Sequence, residues 1–203
     1  MDALNWPEIA ALVGGIMVTG AVAGILSGLL GVGGGIVIVP ILFWVFGFLG
    51  LPAGLGMQIA VATSLVTVAA TAYSSARAHH KRGSVDIAIL KLWAPFMAIG
   101  ALAGWALAGY VSGRALLGLF GVVALLVAWN MARPRTRILA PALPQGLGAQ
   151  PALAGGIGLI SSMMGIGSGT LGVPIMTAFS VPVHRAVGTA AALGMAQLRA
   201  KAL

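Results

Sequence analysis

A glycine-rich stretch occurs twice in this chain, and each copy interrupts a hydrophobic run. Residues 31–40 read GVGGGIVIVP and residues 165–174 read GIGSGTLGVP, so three glycines and a closing proline recur at the same offsets. Each glycine inside a helix costs about 1 kcal/mol relative to alanine. The two stretches therefore predict two breaks in otherwise helical segments.

The composition indicates that the solvent around these segments is lipid. The 203 residues are 60% hydrophobic and only 7% charged, whereas about a quarter of the residues in an ordinary soluble domain are charged. A soluble domain of about 150 residues buries only roughly 70% of its surface, so this much apolar surface has no place in water. The sequence predicts an all-α integral membrane protein, built as a polytopic helix bundle.

The net charge of +8 comes from basic residues that lie between the apolar runs. They group at residues 77–82 and 133–137 and are not interleaved with aromatic residues, so we expect no nucleic-acid partner. Lysine and arginine in this arrangement are typical of cytoplasmic loops. We expect both basic loops to be cytoplasmic, with the N-terminus outside and the protein in the cell inner membrane.

The apolar runs divide the chain into two predicted repeats joined by a linker. Residues 1–132 hold five segments, residues 133–150 form a basic linker rich in proline and glycine, and residues 151–203 hold an incomplete second set. The predicted segments lie at about 9–30, 36–49, 57–76, 87–110, 115–131 and 151–164, from 170, and from 186.

Two of these segments carry more specific expectations. The run at 36–49 is too short to cross the bilayer upright, so we expect a half-helix there. Trp93 and Tyr110 stand near opposite ends of the fourth segment, as aromatic residues at the two membrane interfaces do.

Three landmarks indicate that the second repeat duplicates the first. The run at 151–164 matches residues 24–30 through Gly158 and Ser161, the glycine stretches themselves recur, and AVATS at 60–64 has a counterpart in AVGTA at 186–190. Landmarks in the same order are the signature of a repeat. Because five segments precede the linker, the second copy is predicted to be inverted in the membrane. Inverted repeats with broken helices are the arrangement of many secondary transporters, which bind substrate near the bilayer midplane.

The predicted helix breaks suit an anion. Backbone N–H groups and the positive end of a helix dipole attract oxyanions without a buried lysine or arginine. Hydroxyl groups at matching repeat positions are expected to complete the coordination, although a threonine in a membrane helix more often bonds to its own helix. The predicted substrate-binding residues are Gly33, Gly34, Gly35, Thr63, Ser64, Gly167, Ser168, Gly169 and Thr189.

Other chemistries fit the sequence less well. The dinucleotide fingerprint needs a glycine where Ile36 stands, and the phosphate loop needs a Lys-Ser/Thr pair that is missing. No His, Asp or Glu cluster has metal-ligand spacing, and the absence of cysteine excludes thiolate sites. We expect no catalytic residue, metal or cofactor. Asp86 has two interpretations, a carboxylate at a helix start or a member of a proton relay.

The glycine stretches, ATS at 62–64, GSVD at 83–86 after the basic residues, and AVGT at 186–189 together resemble the sulfite exporter TauE/SafE family of bacterial membrane proteins. The resemblance implies transport of sulfite, sulfonates or related sulfur oxyanions, and it leaves the anion and the direction open. Ser168 stands where the family has glycine, and Ala190 where a serine is expected. The chain also ends without counterparts of the fourth and fifth segments, which implies a truncated second repeat.

Three functions from different classes follow from these features. The first is a secondary transporter that exports small sulfur-containing anions, and it rests on the duplicated glycine breaks. The second is a membrane scaffold or assembly fragment that does not transport, and the third is an intramembrane enzyme. The expected partners are a small anion and the lipid bilayer, with an assembly of identical chains left open.

Overall fold

A computed structural model of the chain describes Gly20, Ala21, Gly24 and residues 34–132, 143–144 and 148–201. These residues form seven helices and no strand, which confirms the all-α prediction. The helices are α1 Gly35–Phe48, α2 Ala53–Lys81, α3 Ile87–Tyr110, α4 Gly113–Ala132, α5 Ala149–Met163, α6 Gly169–Ala178 and α7 Val183–Lys201. Most of the segment predicted at 9–30, the glycines at 31 and 33, and the arginines at 133–137 lie outside the described residues.

Three of the described helices are long and apolar enough to cross a membrane, namely α2, α3 and Gly113–Asn130 within α4. Helices α1 and α6 are also apolar but have only 14 and 10 residues, or about 21 and 15 Å. The prediction of a short helix after each glycine stretch is therefore confirmed. Phe48 and Tyr110 are 85% and 90% exposed, as side chains that face lipid would be.

The prediction that residues 77–82 form a loop is wrong. Helix α2 continues through this sequence to Lys81 and has 29 residues. Alanine, arginine and lysine are good helix formers, so the basic charges do not interrupt the helix. The chain turns only at Gly83, whose φ of 66° favours glycine. The basic side chains thus extend one end of a membrane-crossing helix.

Two groups of buried apolar side chains hold the described helices together. The first joins α1, α2 and α4 and includes Val39, Met57, Phe120, Met164 and Ile166. The second joins α3, α5, α6 and α7 and includes Trp93, Met97, Ile157, Met176 and Leu193. Since Met164 and Ile166 follow α5, the connection between α5 and α6 is built into the first core.

The prediction that Trp93 lies at a membrane interface is also wrong. Its side chain is fully buried between α3 and the helices of the second core. The indole N–H donates to Oε1 of Gln150 at 3.1 Å, and a buried indole needs such an acceptor. The acceptor lies 57 residues away in sequence, so local pattern gives no indication of it.

Helices α3 and α5 make the most extensive contact among the described helices. A Cβ added at Gly104 would overlap the backbone of Leu159, and one added at Gly158 would overlap the backbone of Met97. Small residues let helix backbones approach closely in a membrane, where packing and not hydrophobicity drives association. Glycine on each of the two helices thus makes this crossing sterically feasible.

Helices α2 and α7, which match each other in the predicted repeat, run antiparallel. Just after the end of α2, the backbone N–H of Asp86 donates to the hydroxyl of Thr189 near the start of α7. Further back along α2, Ala72 lies against Gly194, which is further along α7. An inverted duplication requires this orientation. The inversion itself and the division at residues 1–132, 133–150 and 151–203 stay predictions.

We expect Gly104→Leu to destabilise the protein, because the new side chain would collide with the backbone of Leu159. Overpacking of this kind costs about 1–3 kcal/mol or more, and thermal unfolding in detergent measures it. Gly109→Leu is the matched control, since a Cβ at Gly109 on the same helix meets nothing within 4 Å. An equal loss of stability in both variants would contradict the close crossing.

Candidate functional site

The two glycine stretches meet inside the bundle. Helix α5 ends at Met163, Gly165 adopts a φ of 67°, and α6 begins at Gly169. Gly35 begins α1 from the other side, and a Cβ at Gly35 would come within 2.5 Å of the carbonyl oxygen of Gly165. Only glycine leaves room for this contact. We call residues 34–35 and 165–169 the glycine junction.

Both short helices begin at the junction without a side-chain cap. Gly34 and Ser168 hold the N-cap positions, both in the αR conformation. A serine there usually accepts a hydrogen bond from the first helical turn. The Ser168 hydroxyl instead donates to the carbonyl of Ala190 at 2.6 Å. Among the described residues, no backbone acceptor pairs with the N–H of Gly35 or Gly169, as is usual for first-turn donors that lack a cap.

Ser64 fastens the junction to α2. Its side chain is fully buried, and its Oγ lies 2.7 Å from the carbonyl oxygen of Gly165 and 2.8 Å from that of Val61. A hydroxyl has a single proton to donate, and here both neighbours are acceptors. Ser64 therefore satisfies the backbone of the break, which leaves no proton for an anion in this arrangement.

A cavity of about 570 Å³ lies beside the junction. Its walls come from α2, α7 and the junction, and Gly20 and Gly24 form a further side. A Cβ at Gly20 or Gly24 would meet nothing within 4 Å, so both glycines border open space. The predicted site residues in its wall are Gly34, Gly167, Ser168 and Gly169.

The junction lies at mid-length of α2. Thr67 is the central residue of this 29-residue helix. A Cβ at Gly167 would lie 3.3 Å from Val68, and Ser64 binds Gly165 on the other side of the centre. Since α2 is a candidate membrane span, both helix starts lie near the middle of a crossing helix.

Four of the described residues that were predicted as site residues, Gly35, Thr63, Ser64 and Thr189, do not line the cavity. Gly33 lies outside the described residues. Thr63 is exposed and does not line the cavity. Thr189 is fully buried, and its hydroxyl oxygen accepts the backbone N–H of Asp86 at 2.9 Å. Their part in substrate binding stays a prediction, and the observed role of Thr189 is to hold α7 against the turn between α2 and α3.

Asp86 takes the first of the two roles predicted for it, that of a carboxylate at the start of a helix. Its carboxylate accepts the backbone N–H groups of Ala88 and Ile89 at 3.0 and 3.2 Å. This is the geometry of an N-cap, which stabilises the start of α3. The carboxylate oxygen that makes both bonds is engaged with the helix itself.

The polar face of α2, which forms much of the cavity wall, was not among the predicted site residues. This face, here called the α2 polar face, consists of Thr67, Thr71, Ser74, Ser75 and His79. The spacing of these residues is that of one side of an α-helix. In the sequence, this face is visible as hydroxyl residues at helical spacing that lead into the basic residues at 77–82.

Comparison with known proteins matches residues 16–199 to the family model described as "Sulfite exporter TauE/SafE". A "Probable membrane transporter protein" of Haemophilus influenzae is 31% identical over 187 residues, which cover 88% of this chain and 68% of the relative. One from Methanocaldococcus jannaschii is 29% identical, with 85% and 64% covered. One from Xylella fastidiosa is 33% identical, with 84% and 65% covered.

The chain thus spans about two thirds of the length of these curated relatives. No solved structure matches it. The match covers both glycine stretches, so it includes every described part of the junction.

We expect Ser64→Ala to destabilise the folded chain by about 1–3 kcal/mol, because it leaves the buried carbonyl of Gly165 without its donor. Chemical or thermal unfolding in detergent measures the change. Ser74→Ala is the control for stability, since Ser74 lies on the same helix but is exposed. If the two variants unfold alike, Ser64 does not support the break.

Proposed function

The chain belongs to the sulfite exporter TauE/SafE family, and we propose from this premise that it is a secondary transporter that exports a small sulfur-containing anion, such as sulfite or an organosulfonate. The relatives carry the name of membrane transporters, which supports transport without specifying a substrate. The observation that supports an anion as the substrate is that two helix N-termini without side-chain caps meet at one cavity.

The proposed binding groups are backbone N–H groups of the glycine junction. A helix N-terminus is equivalent to roughly half a positive charge, so two of them together offset about one negative charge. The lining of the cavity contains no lysine and no arginine among the described residues. An anion held by backbone dipoles needs no buried cation, and release then breaks no salt bridge.

Glycine contributes to this site through its size. At Gly34, Gly167 and Gly169 there is no side chain between the backbone and the cavity, so an oxyanion can approach the N–H groups directly. Ser64 and Ser168 support the two halves of the junction through hydrogen bonds to Gly165 and Ala190. In this proposal they position the donors and do not themselves bind the anion.

The basic ends of α2 and α7 support an orientation for the transporter. Lys81 and Arg82 end α2, and Arg185 lies in the first turn of α7. The hydrogen bond between Asp86 and Thr189 holds these two helix ends together. Because lysine and arginine favour the cytoplasmic side, we infer that this end faces the cytoplasm of the cell and that the cavity opens toward it.

We expect the purified chain to bind radiolabelled sulfite saturably, and Gly24→Leu to weaken binding by about tenfold or more. The leucine enters the open space beside Gly24 without a steric clash. It therefore occupies space in the cavity without disturbing the fold. Gly118→Leu on α4 is the control, since a Cβ at Gly118 also meets nothing within 4 Å and lies away from the cavity.

Two outcomes count against the proposed function. A wild-type chain that is folded but binds no sulfite and no organosulfonate favours the scaffold alternative. If Gly24→Leu binds sulfite as tightly as the wild type does, the binding site lies outside the cavity.

The orientation has a separate test, which uses the absence of cysteine from the chain. We expect His80→Cys at the basic end of α2 to react with a membrane-impermeant maleimide only after the cells are permeabilised. Leu49→Cys, exposed near the opposite end of α2, is expected to react in intact spheroplasts. The reverse pattern would invert the proposed topology.

A further inference from the structure

The cavity continues along α2 beyond the glycine junction. The junction contacts α2 at Val68, and His79 lines the same cavity about three helical turns, or roughly 16 Å, further along α2. A single continuous space therefore connects the middle of α2 to its basic end.

Hydroxyl groups line this space at nearly every turn. Thr67, Ser74 and Ser75 border it, and none of their side chains has a hydrogen-bond partner among the described residues. The Thr71 hydroxyl donates to the carbonyl of Thr67 or Val68 in its own helix. Neutral hydroxyls attract an anion only weakly, which suits a path because an ion must leave each position as readily as it arrives.

Apart from the hydroxyls, much of the cavity wall consists of small residues. Gly20, Gly24 and Gly194 line the cavity together with alanines. No aspartate or glutamate lines it among the described residues. An anion on this path meets hydroxyl donors, small residues and, among the described residues, no charge of its own sign.

The charge at the end of α2 favours anions. Arg77, Lys81 and Arg82 are exposed around the last turns of the helix. Among the described residues, the carboxylate near this turn is that of Asp86, which caps α3. A mouth with positive charges beside a low-dielectric cavity raises the local concentration of anions.

We propose that the α2 polar face is the route by which the anion moves between the glycine junction and the basic end of α2, and that His79 is the side chain that receives the anion at this end. The proposal rests on the proposed function of the junction. His79 is half-buried in the cavity wall, whereas His80 beside it is exposed and outside the wall. The two histidines therefore form a matched pair.

We expect His79→Leu to slow uptake of radiolabelled sulfite into proteoliposomes by about tenfold, since hydrogen bonds to charged groups have this magnitude. Equilibrium binding of sulfite in detergent should stay within about twofold of the wild type, because the junction is unchanged. His79→Gln, which keeps a donor, should restore part of the rate. His80→Leu should transport as the wild type does.

Cysteine accessibility tests the route without requiring transport. A small anionic thiosulfonate should modify Thr67→Cys and Ser75→Cys about tenfold faster than Val66→Cys and Tyr73→Cys, because only the first pair borders the cavity and a thiol in lipid does not ionise. The comparison is informative because Val66 and Tyr73 are 72% and 58% exposed on the molecular surface. Slow reaction at positions 67 and 75 overturns the route.

The outcomes separate the route from the proposed function. A wild-type chain without saturable sulfite binding overturns the proposed function. Wild-type binding with equal uptake by the wild type and His79→Leu, or with equal losses in the two histidine variants, overturns only the route and the role of His79. Wild-type binding without any uptake overturns the transport part of the proposed function, and the route is then decided by the cysteine comparison.

Discussion

The fold depends on hydrogen bonds to the backbone N–H and C=O groups at the break between α5 and α6, which lies within the membrane. Lipid offers no hydrogen bonds, so a break is tolerated only where protein or a cavity surrounds it. Between α5 and α6, the N–H groups of Gly165 and Ile166 donate to carbonyls at the end of α5. The carbonyl of Gly165 accepts from Ser64 across the helix boundary. One buried hydroxyl thus joins the break to the central helix of the bundle.

In the same arrangement, both short helices lack a side-chain cap. The Ser168 hydroxyl donates to the carbonyl of Ala190 and makes no capping hydrogen bond to α6, and Gly34 has no side chain with which to cap α1. Two helix N-termini therefore open onto one cavity at mid-length of α2. The α2 polar face extends this cavity toward the basic end of the helix. Support of the break and proposed binding of the anion are consequences of the same few hydrogen bonds.

The local sequence predicted what depends on local physics. Apolar runs long enough to span lipid gave α2, α3 and α4, and clustered glycines gave the short helices α1 and α6. The two errors have different causes, a long-range contact for Trp93 and the local helix propensity of residues 77–81. Trp93 is buried because Gln150 accepts its N–H from another helix, and the residues at 77–81 are helical although their charges suggested a loop. The residues of the α2 polar face follow a helical period in the sequence, but only the tertiary structure shows that they border a cavity.

The sequence by itself determined that the chain is helical, that it is apolar enough for a membrane, and that a short helix follows each of two related glycine stretches. Composition and glycine content act on each segment separately, so they can be read without the tertiary structure. Only the tertiary structure decided that the interruptions touch each other. That contact needs Gly35 to pack against Gly165 and Ser64 to reach the same carbonyl, and residues more than a hundred positions apart meet only after the helices have packed. It also decided which hydroxyls support the backbone and which border the cavity, since a hydroxyl donates to whichever acceptor the fold brings within reach.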